Sequence, residues 1–126
     1  MLLFIGGKSQ GKLRYVSSRF KIKEEDILMS KDFNLEKAYS AKIIYGVHSI
    51  IKELIHIEKE PFGIIMEIIS KNPEVILISD EIGYGIVPLD KQERIYRELT
   101  GRIMCEVAKK ALSVERIICG IGQKIK

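Results

Sequence analysis

Leu2-Leu3-Phe4-Ile5-Gly6-Gly7-Lys8-Ser9-Gln10-Gly11-Lys12 is the stretch that decides the fold. Four apolar residues broken by a glycine pair read as a buried parallel strand running into a loop. The phosphate-loop pattern asks for Gly, four residues, Gly-Lys and then Ser or Thr, and Gly6, Gly11 and Lys12 fill its first three requirements. Glycines let the backbone wrap so that several N–H groups converge on one phosphate. A following helix, expected from about Gly11 to Arg19, adds positive potential at its N-terminus, and the lysine neutralises phosphate oxygens. Gly6, Gly7, Lys8, Ser9, Gln10, Gly11 and Lys12 are therefore the expected nucleotide-binding residues, with Lys12 also placed to stabilise charge during transfer. The pattern breaks at Leu13, which has no hydroxyl for Mg²⁺, so an ion accompanying ATP or GTP has to be held otherwise or weakly. The plainer alternative is an ordinary glycine turn between a strand and a helix.

Outward from this loop, strand and helix signals alternate. Asp26-Ile27-Leu28-Met29 and Lys42-Ile43-Ile44-Tyr45 read as strands, with a polar stretch between them that can hold one helical turn. Val47, Ile50, Ile51, Leu54 and Ile55 recur at the spacing of an amphipathic helix. Pro61 suits the first turn of another, with Phe62, Ile65, Met66 and Ile69 as its inner face and Asn72-Pro73 as its stop. Val75-Ile76-Leu77-Ile78-Ser79 is the strongest strand, rich in β-branched residues. A long helix is expected from Asp90, where Asp90 and Glu93 have capping-box spacing, with Ile95, Leu99, Ile103 and Val107 facing inward. Arg116-Ile117-Ile118-Cys119 is a final strand. This order predicts one α/β domain over residues 1–126, a three-layer P-loop NTPase-like fold whose mostly parallel sheet has about five strands. Ligands of such sheets bind beyond the carboxyl ends of the strands. The loop after Ile5, the segment from Asp80 to Pro88 and the segment from Gly120 to Gln123 all belong at that edge.

Bulk properties narrow the function classes. The chain has 126 residues, 46% hydrophobic and 30% charged, which suits a globular domain rather than a disordered one. Its net charge of +4 is spread along the chain and interleaved with Glu, and there is no Trp, so a nucleic-acid surface is not expected. Cys105 and Cys119 lack metal-ligand spacing and are expected to be reduced, in or near the core. The apolar start is too short for a membrane span or signal sequence, so a cytoplasmic protein is expected.

Asp80 and Glu81 end the strongest strand, where nucleotide-hydrolysing folds place a carboxylate to hold Mg²⁺ or orient a nucleophile. A solvated acidic pair is the alternative. Gly83, Gly85 and Pro88 shape the loop beside them, making an acceptor or metal loop of Asp80, Glu81, Gly83, Gly85 and Pro88. His48 and His56 are the only histidines. A surface or helix-end position is expected for each, and His48, which begins a helix just after a strand, is the candidate for chemistry.

Ser79-Asp80-Glu81-Ile82-Gly83-Tyr84-Gly85-Ile86-Val87-Pro88 resembles the Asn-Glu-Val-Gly-x-Gly-Ile-Val-Pro signature of the bifunctional adenosylcobinamide kinase/adenosylcobinamide-phosphate guanylyltransferase family. Arg94, Tyr96-Arg97, Gly101-Arg102 and the terminal Gly120-Ile121-Gly122-Gln123-Lys124-Ile125-Lys126 extend the likeness. The resemblance covers roughly the first fifteen and last fifty residues, with motifs agreeing in order. It implies phosphorylation of adenosylcobinamide by a nucleoside triphosphate and then GMP transfer through a guanylylated histidine. Lys12, Glu81 and His48 become the catalytic candidates, a cobinamide precursor the second substrate, and assembly of identical chains that complete one another's sites is expected. Asp80 stands where the signature has Asn, Met104 where the family tends to have Asn, and the family's histidine- and arginine-bearing middle has no counterpart between Phe20 and Pro73. A catalytically impaired nucleotide-binding or regulatory module, and a P-loop kinase of another small substrate, are the alternative readings.

Overall fold

The computed structural model describes residues 1–83 and 89–126. Its elements run β1 (Leu2–Gly6), α1 (Lys12–Phe20), β2 (Ile27–Met29), α2 (Leu35–Ala38), β3 (Ile43–Tyr45), α3 (Val47–His56), α4 (Pro61–Lys71), β4 (Ile76–Asp80), α5 (Lys91–Lys110), β5 (Ser113–Ile118) and β6 (Ile121–Lys124). Among the described residues the strands make one sheet in the order β2-β3-β4-β1-β5-β6. The first five are parallel, because each connection carries a helix that brings the chain back to the same edge. The sheet is thus the expected three-layer, P-loop NTPase-like arrangement with six strands instead of about five.

The sixth strand comes from the segment Gly120 to Gln123, which had been expected as a loop at the ligand edge. Ile118 pairs with Ile121, so only Cys119 and Gly120 turn the chain, and β6 runs back antiparallel to β5. Both turn residues have positive φ, 50° at Cys119 and 75° at Gly120. That is the requirement of the two-residue hairpin turn whose twist matches the strands it joins.

Alternate residues of each strand feed two cores. Phe4, Ile43, Ile76, Ile78 and Ile117 lie against Val16 of α1. Leu3, Ile44, Leu77 and Val114 belong to the larger core with Ile50, Ile51, Leu54, Ile65, Ile68, Ile103 and Val107 of α3, α4 and α5. Each fully buried Ile or Leu contributes about 1.5–3 kcal/mol, so this three-helix face carries most of the apolar stabilisation.

Periodicity located the helices better than their faces. On α3 the buried residues are Val47, Ile50, Ile51 and Leu54, as the spacing predicts. On α4 they are Pro61, Ile65 and Ile68, while Phe62 is 39% exposed. On α5 they are Tyr96, Thr100, Ile103 and Val107, and Ile95 is 45% exposed. The α5 row was spaced strictly every fourth residue, which drifts about 40° per step around a 3.6-residue helix and cannot stay on one face for three turns. Both cysteines are exposed rather than in the core. Cys105 lies on the outer side of α5 and Cys119 in the β5–β6 turn.

Helix ends are anchored by side chains, of which Asp90 and Asn72 were expected there and Glu60 was not. Glu60 accepts from the N–H groups of Phe62 and Gly63 at 2.9 and 2.6 Å ahead of α4, and Asp90 from Gln92 N–H at 2.8 Å ahead of α5. Asn72 ends α4 and turns inward, its amide donating to the carbonyls of Ala38 and Ala41 at 2.9 Å each.

Candidate functional site

The order of the strands places β1 between β4 and β5, so three carboxyl ends meet at one edge. Gly6 lies opposite Asp80 in the register, and Glu81 N–H donates to the Gly6 carbonyl at 2.8 Å. The loop after Gly6 exposes Lys8 and Ser9 at its tip. It then enters α1 through Gly11, whose φ of 84° is a left-handed conformation that favours glycine. The first turn of α1 points its free N–H groups toward this loop.

Lys12 is folded into the site. Its side chain is only 2% exposed, with Nζ donating to the Gly7 carbonyl at 2.6 Å and pairing with Asp80 Oδ1 at 2.6 Å. Asp80 thus joins the lysine of the loop to the end of β4. Its other carboxylate oxygen lies 3.4 Å from His48 Nε2, and its backbone N–H donates to His48 Nδ1 at 3.1 Å. A nitrogen that accepts carries no proton, so neutral His48 is the Nε2–H tautomer facing Asp80. Burial pulls the His48 pKa below its ordinary value, with Asp80 opposing and Lys12 and Lys52 adding to the shift. His48 is at the start of α3, as expected, but half-buried in the site with both ring nitrogens engaged. His56 is exposed at the last turn of that helix.

Glu81 faces a different partner. Its carboxylate meets the Arg116 guanidinium in two contacts, 2.8 Å from Nε to Oε1 and 3.0 Å from Nη2 to Oε2. The pair links β4 to β5 across the end of β1, so Asp80 and Glu81 are not a shared carboxylate site. A small cavity of about 180 Å³ lies beside them, bounded by Ile5, Ile82, Thr100 and Met104. Among the described residues the buried Thr100 hydroxyl has no hydrogen-bond partner. Gly83 follows with a φ of 95°. Gly85 and Pro88 lie outside the described residues.

Behind the site, Tyr96 of α5 donates its hydroxyl to the His48 carbonyl at 3.2 Å. Burial, followed by the charges of Glu93 and Asp80, pushes its pKa up to about 12. The third strand end braces the glycine loop. Gly120 N–H donates to the Gln10 carbonyl and Cys119 N–H to Gln10 Oε1, both at 2.8 Å. Gln10 therefore spends its side chain on the turn. Arg116, Tyr96 and the β5–β6 turn were not singled out as site residues by the sequence. The two side chains belong to elements whose partners lie far away in the chain, although the terminal glycines were a signal for the turn.

Leu13, in place of the usual hydroxyl, packs against the α1 core. Among the described residues there is no cluster of three or more His, Cys, Asp or Glu that could hold a metal, and no helix is long and apolar enough to cross a membrane.

Comparison with known proteins places this edge in context. The family model described as cobinamide kinase / cobinamide phosphate guanyltransferase matches residues 52–125, from within α3 to the end of β6. The bifunctional adenosylcobalamin biosynthesis proteins of Escherichia coli (strain K12) and Salmonella typhimurium (strain LT2) are each 40% identical to this chain over 53 residues. The match covers 42% of this chain and 29% of each relative. It therefore spans less than a third of the length of these curated relatives. The matched region contains Asp80, Glu81, Tyr96, Arg116 and the β5–β6 turn, and by this match the chain belongs to the cobinamide kinase / cobinamide phosphate guanyltransferase family.

Proposed function

We propose that the chain binds a nucleoside triphosphate at the Gly6–Lys12 loop and acts in cobalamin biosynthesis, transferring a phosphoryl group to a cobinamide-type precursor. The observation that carries this reading is the placement of Lys12. A buried ammonium is held by the Gly7 carbonyl and Asp80, at the head of a helix and at the edge where three parallel strands end. A triphosphate entering the loop replaces the Gly7 carbonyl as the partner of Nζ, and the loop N–H groups take its oxygens. Lys12 is then positioned to stabilise charge on the phosphoryl group in transfer.

Asp80 is the carboxylate that fits Mg²⁺ brought in by ATP or GTP, since Mg²⁺ is commonly bound by one or two carboxylates together with substrate phosphates. Glu81 fits less well because the Arg116 guanidinium holds both of its oxygens within 3.0 Å, whereas Asp80 Oδ2 meets only His48 among the described residues, at 3.4 Å. Bound Mg²⁺ would neutralise phosphate charge. Its protein ligands would be few, because Leu13 supplies none.

Guanylyl transfer through His48 draws no support from its geometry, as one ring nitrogen accepts from Asp80 N–H and the other faces the Asp80 carboxylate. This observation, with Leu13, favours a second reading in which the chain binds nucleotide without turnover. Calorimetry with ATP and GTP tests the binding claim. Lys12→Ala should weaken affinity roughly 10- to 100-fold, the range for losing a hydrogen bond to a charged group. Equal affinity in wild type and variant, with both folded by circular dichroism, removes the claim. Labelled ATP or GTP with adenosylcobinamide separates the two readings: phosphorylated product supports transfer, and tight binding without product or protein adduct supports the module.

A further inference from the structure

A cavity of about 550 Å³ opens between α3 and the short turn Ser30–Asp32 that follows β2. Its size is within the usual range for small-molecule sites, about 300–1,000 Å³. Ile50 and Leu54 of α3, Ile57 at the end of that helix and Phe33 after the turn give it an apolar floor. Ser30, Lys31, Ser49 and Glu53 complete the lining. Among the described residues none of these four side chains makes a hydrogen bond or an ion pair.

The cavity adjoins the site through Gly46. The N–H of Gly46 donates to the Ile78 carbonyl at 2.9 Å, two residues before Asp80, and its carbonyl accepts from Ser49 N–H at 2.9 Å. Its φ is 87°, and a Cβ there would stand 2.8 Å from the Ser30 hydroxyl oxygen, so a glycine lets the turn after β2 close against the start of α3. One turn of helix then serves both places: His48 reaches Asp80, and Ser49 beside it lines the cavity.

The direction of transfer points the same way. In phosphoryl transfer the attacking and leaving oxygens lie roughly in line. With the leaving diphosphate held by the Gly6–Lys12 loop at the end of β1, the acceptor approaches from the other side of Asp80. That is the side of His48, of α3 and of the ends of β3 and β2.

We infer that this cavity is the acceptor subsite and that it takes an amphipathic molecule, apolar on one face and edged with hydroxyl or amide groups; the inference rests on the phosphoryl-transfer reading above. The floor suits the apolar face. At the rim the serine hydroxyls donate and accept, the Lys31 ammonium donates and the Glu53 carboxylate accepts, which matches an edge carrying both kinds of group. The two rim charges are opposite in sign, an arrangement that disfavours a second polyanion such as a nucleotide or a sugar phosphate.

Calorimetry with ATP and with adenosylcobinamide, on wild type and Glu53→Trp, tests the assignment. Glu53 is exposed on α3, so the indole fills the cavity without entering the core. Adenosylcobinamide affinity should fall about tenfold, or 1.4 kcal/mol, while ATP affinity holds. Unchanged adenosylcobinamide affinity, or an equal loss for ATP, overturns the inference, and ATP binding by the wild type keeps the phosphate-loop reading standing in either case. A second variant, Lys31→Cys, reports occupancy directly through its new thiol, whose alkylation by iodoacetamide is followed by peptide mass spectrometry. Adenosylcobinamide at ten times Kd leaves about one chain in eleven free, so that thiol should react about tenfold more slowly while the exposed Cys105 keeps its rate. An unprotected thiol in a variant that calorimetry shows to be loaded also overturns the inference. Wild type that binds ATP but no adenosylcobinamide removes the acceptor reading and the inference with it.

Discussion

Gly6 and Gly7 are adjacent members of one motif, yet the structure assigns them different costs of substitution. In Gly6→Ala the new Cβ would lie inside 3.0 Å of the Ile117 carbonyl oxygen, a backbone atom of β5. Relief requires prising β5 away from β1, and β5 is held on its other side by β6. Overpacking of this kind costs about 1–3 kcal/mol, offset in part by about 0.4–1 kcal/mol from the stiffer unfolded chain, for a net loss near 2 kcal/mol at the upper end. With unfolding entropy of about 2.1 cal/mol/K per residue, 126 residues give roughly 0.26 kcal/mol/K, so the melting temperature should fall by about 8 °C. In Gly7→Ala the nearest neighbour is Gln10 Cγ at 3.4 Å, and φ at Gly7 is not positive. That variant should stay within about 2 °C of wild type. Thermal unfolding followed by circular dichroism, with urea unfolding to check that m is unchanged, decides the matter. A Gly6→Ala protein that melts with wild type, or two variants that fall together, would refute the steric reasoning.

Two further perturbations address the packing behind the site. Tyr96 keeps its proton to a pKa of about 12 when folded, against about 10 unfolded, so the folded state holds a proton that the unfolded state has lost and stability must fall as pH rises through that window. Urea midpoints across this range should fall less steeply for Tyr96→Phe, and an equal slope would show that Tyr96 is not the group responsible. Asn72→Ala strips the amide donor from the carbonyls of Ala38 and Ala41 and should cost about 2–3 kcal/mol in urea unfolding, whereas a loss under about 0.5 kcal/mol would mean that those carbonyls find other partners.

How much of this was legible depended on the range of the signal. β1 and its loop, the capped helices and the apolar β4 all rest on local chemistry, and each formed close to where the sequence placed it. The inward faces of α4 and α5 depended on a rotation that the spacing of Phe62 or Ile95 alone could not define, because the packed neighbours are in other elements. Asp80 and Glu81 read as a pair because they are consecutive, but Lys12 and His48 claim one and Arg116 the other. Those partners lie 68, 32 and 35 residues away along the chain. The β5–β6 turn was masked by its glycines, which read as a ligand loop when viewed locally. The exposed cysteines show the converse: a residue type that is usually buried carries no information about which side of a turn or helix it occupies.

The central position of β1 also sets an order in time. Leu2 to Gly6 are made well before their partners in the sheet, Ile76–Asp80 and Ser113–Ile118. At about 5–20 residues per second the apolar strand waits several seconds for its first neighbour and longer for its second. Contacts so distant along the chain make for slow folding, and during synthesis an unpaired hydrophobic strand is exposed to other nascent chains. The glycine loop, joined to Glu81 through Gly6 and to Gly120 through Gln10, is consequently completed only after the segments that follow it in the chain have been made.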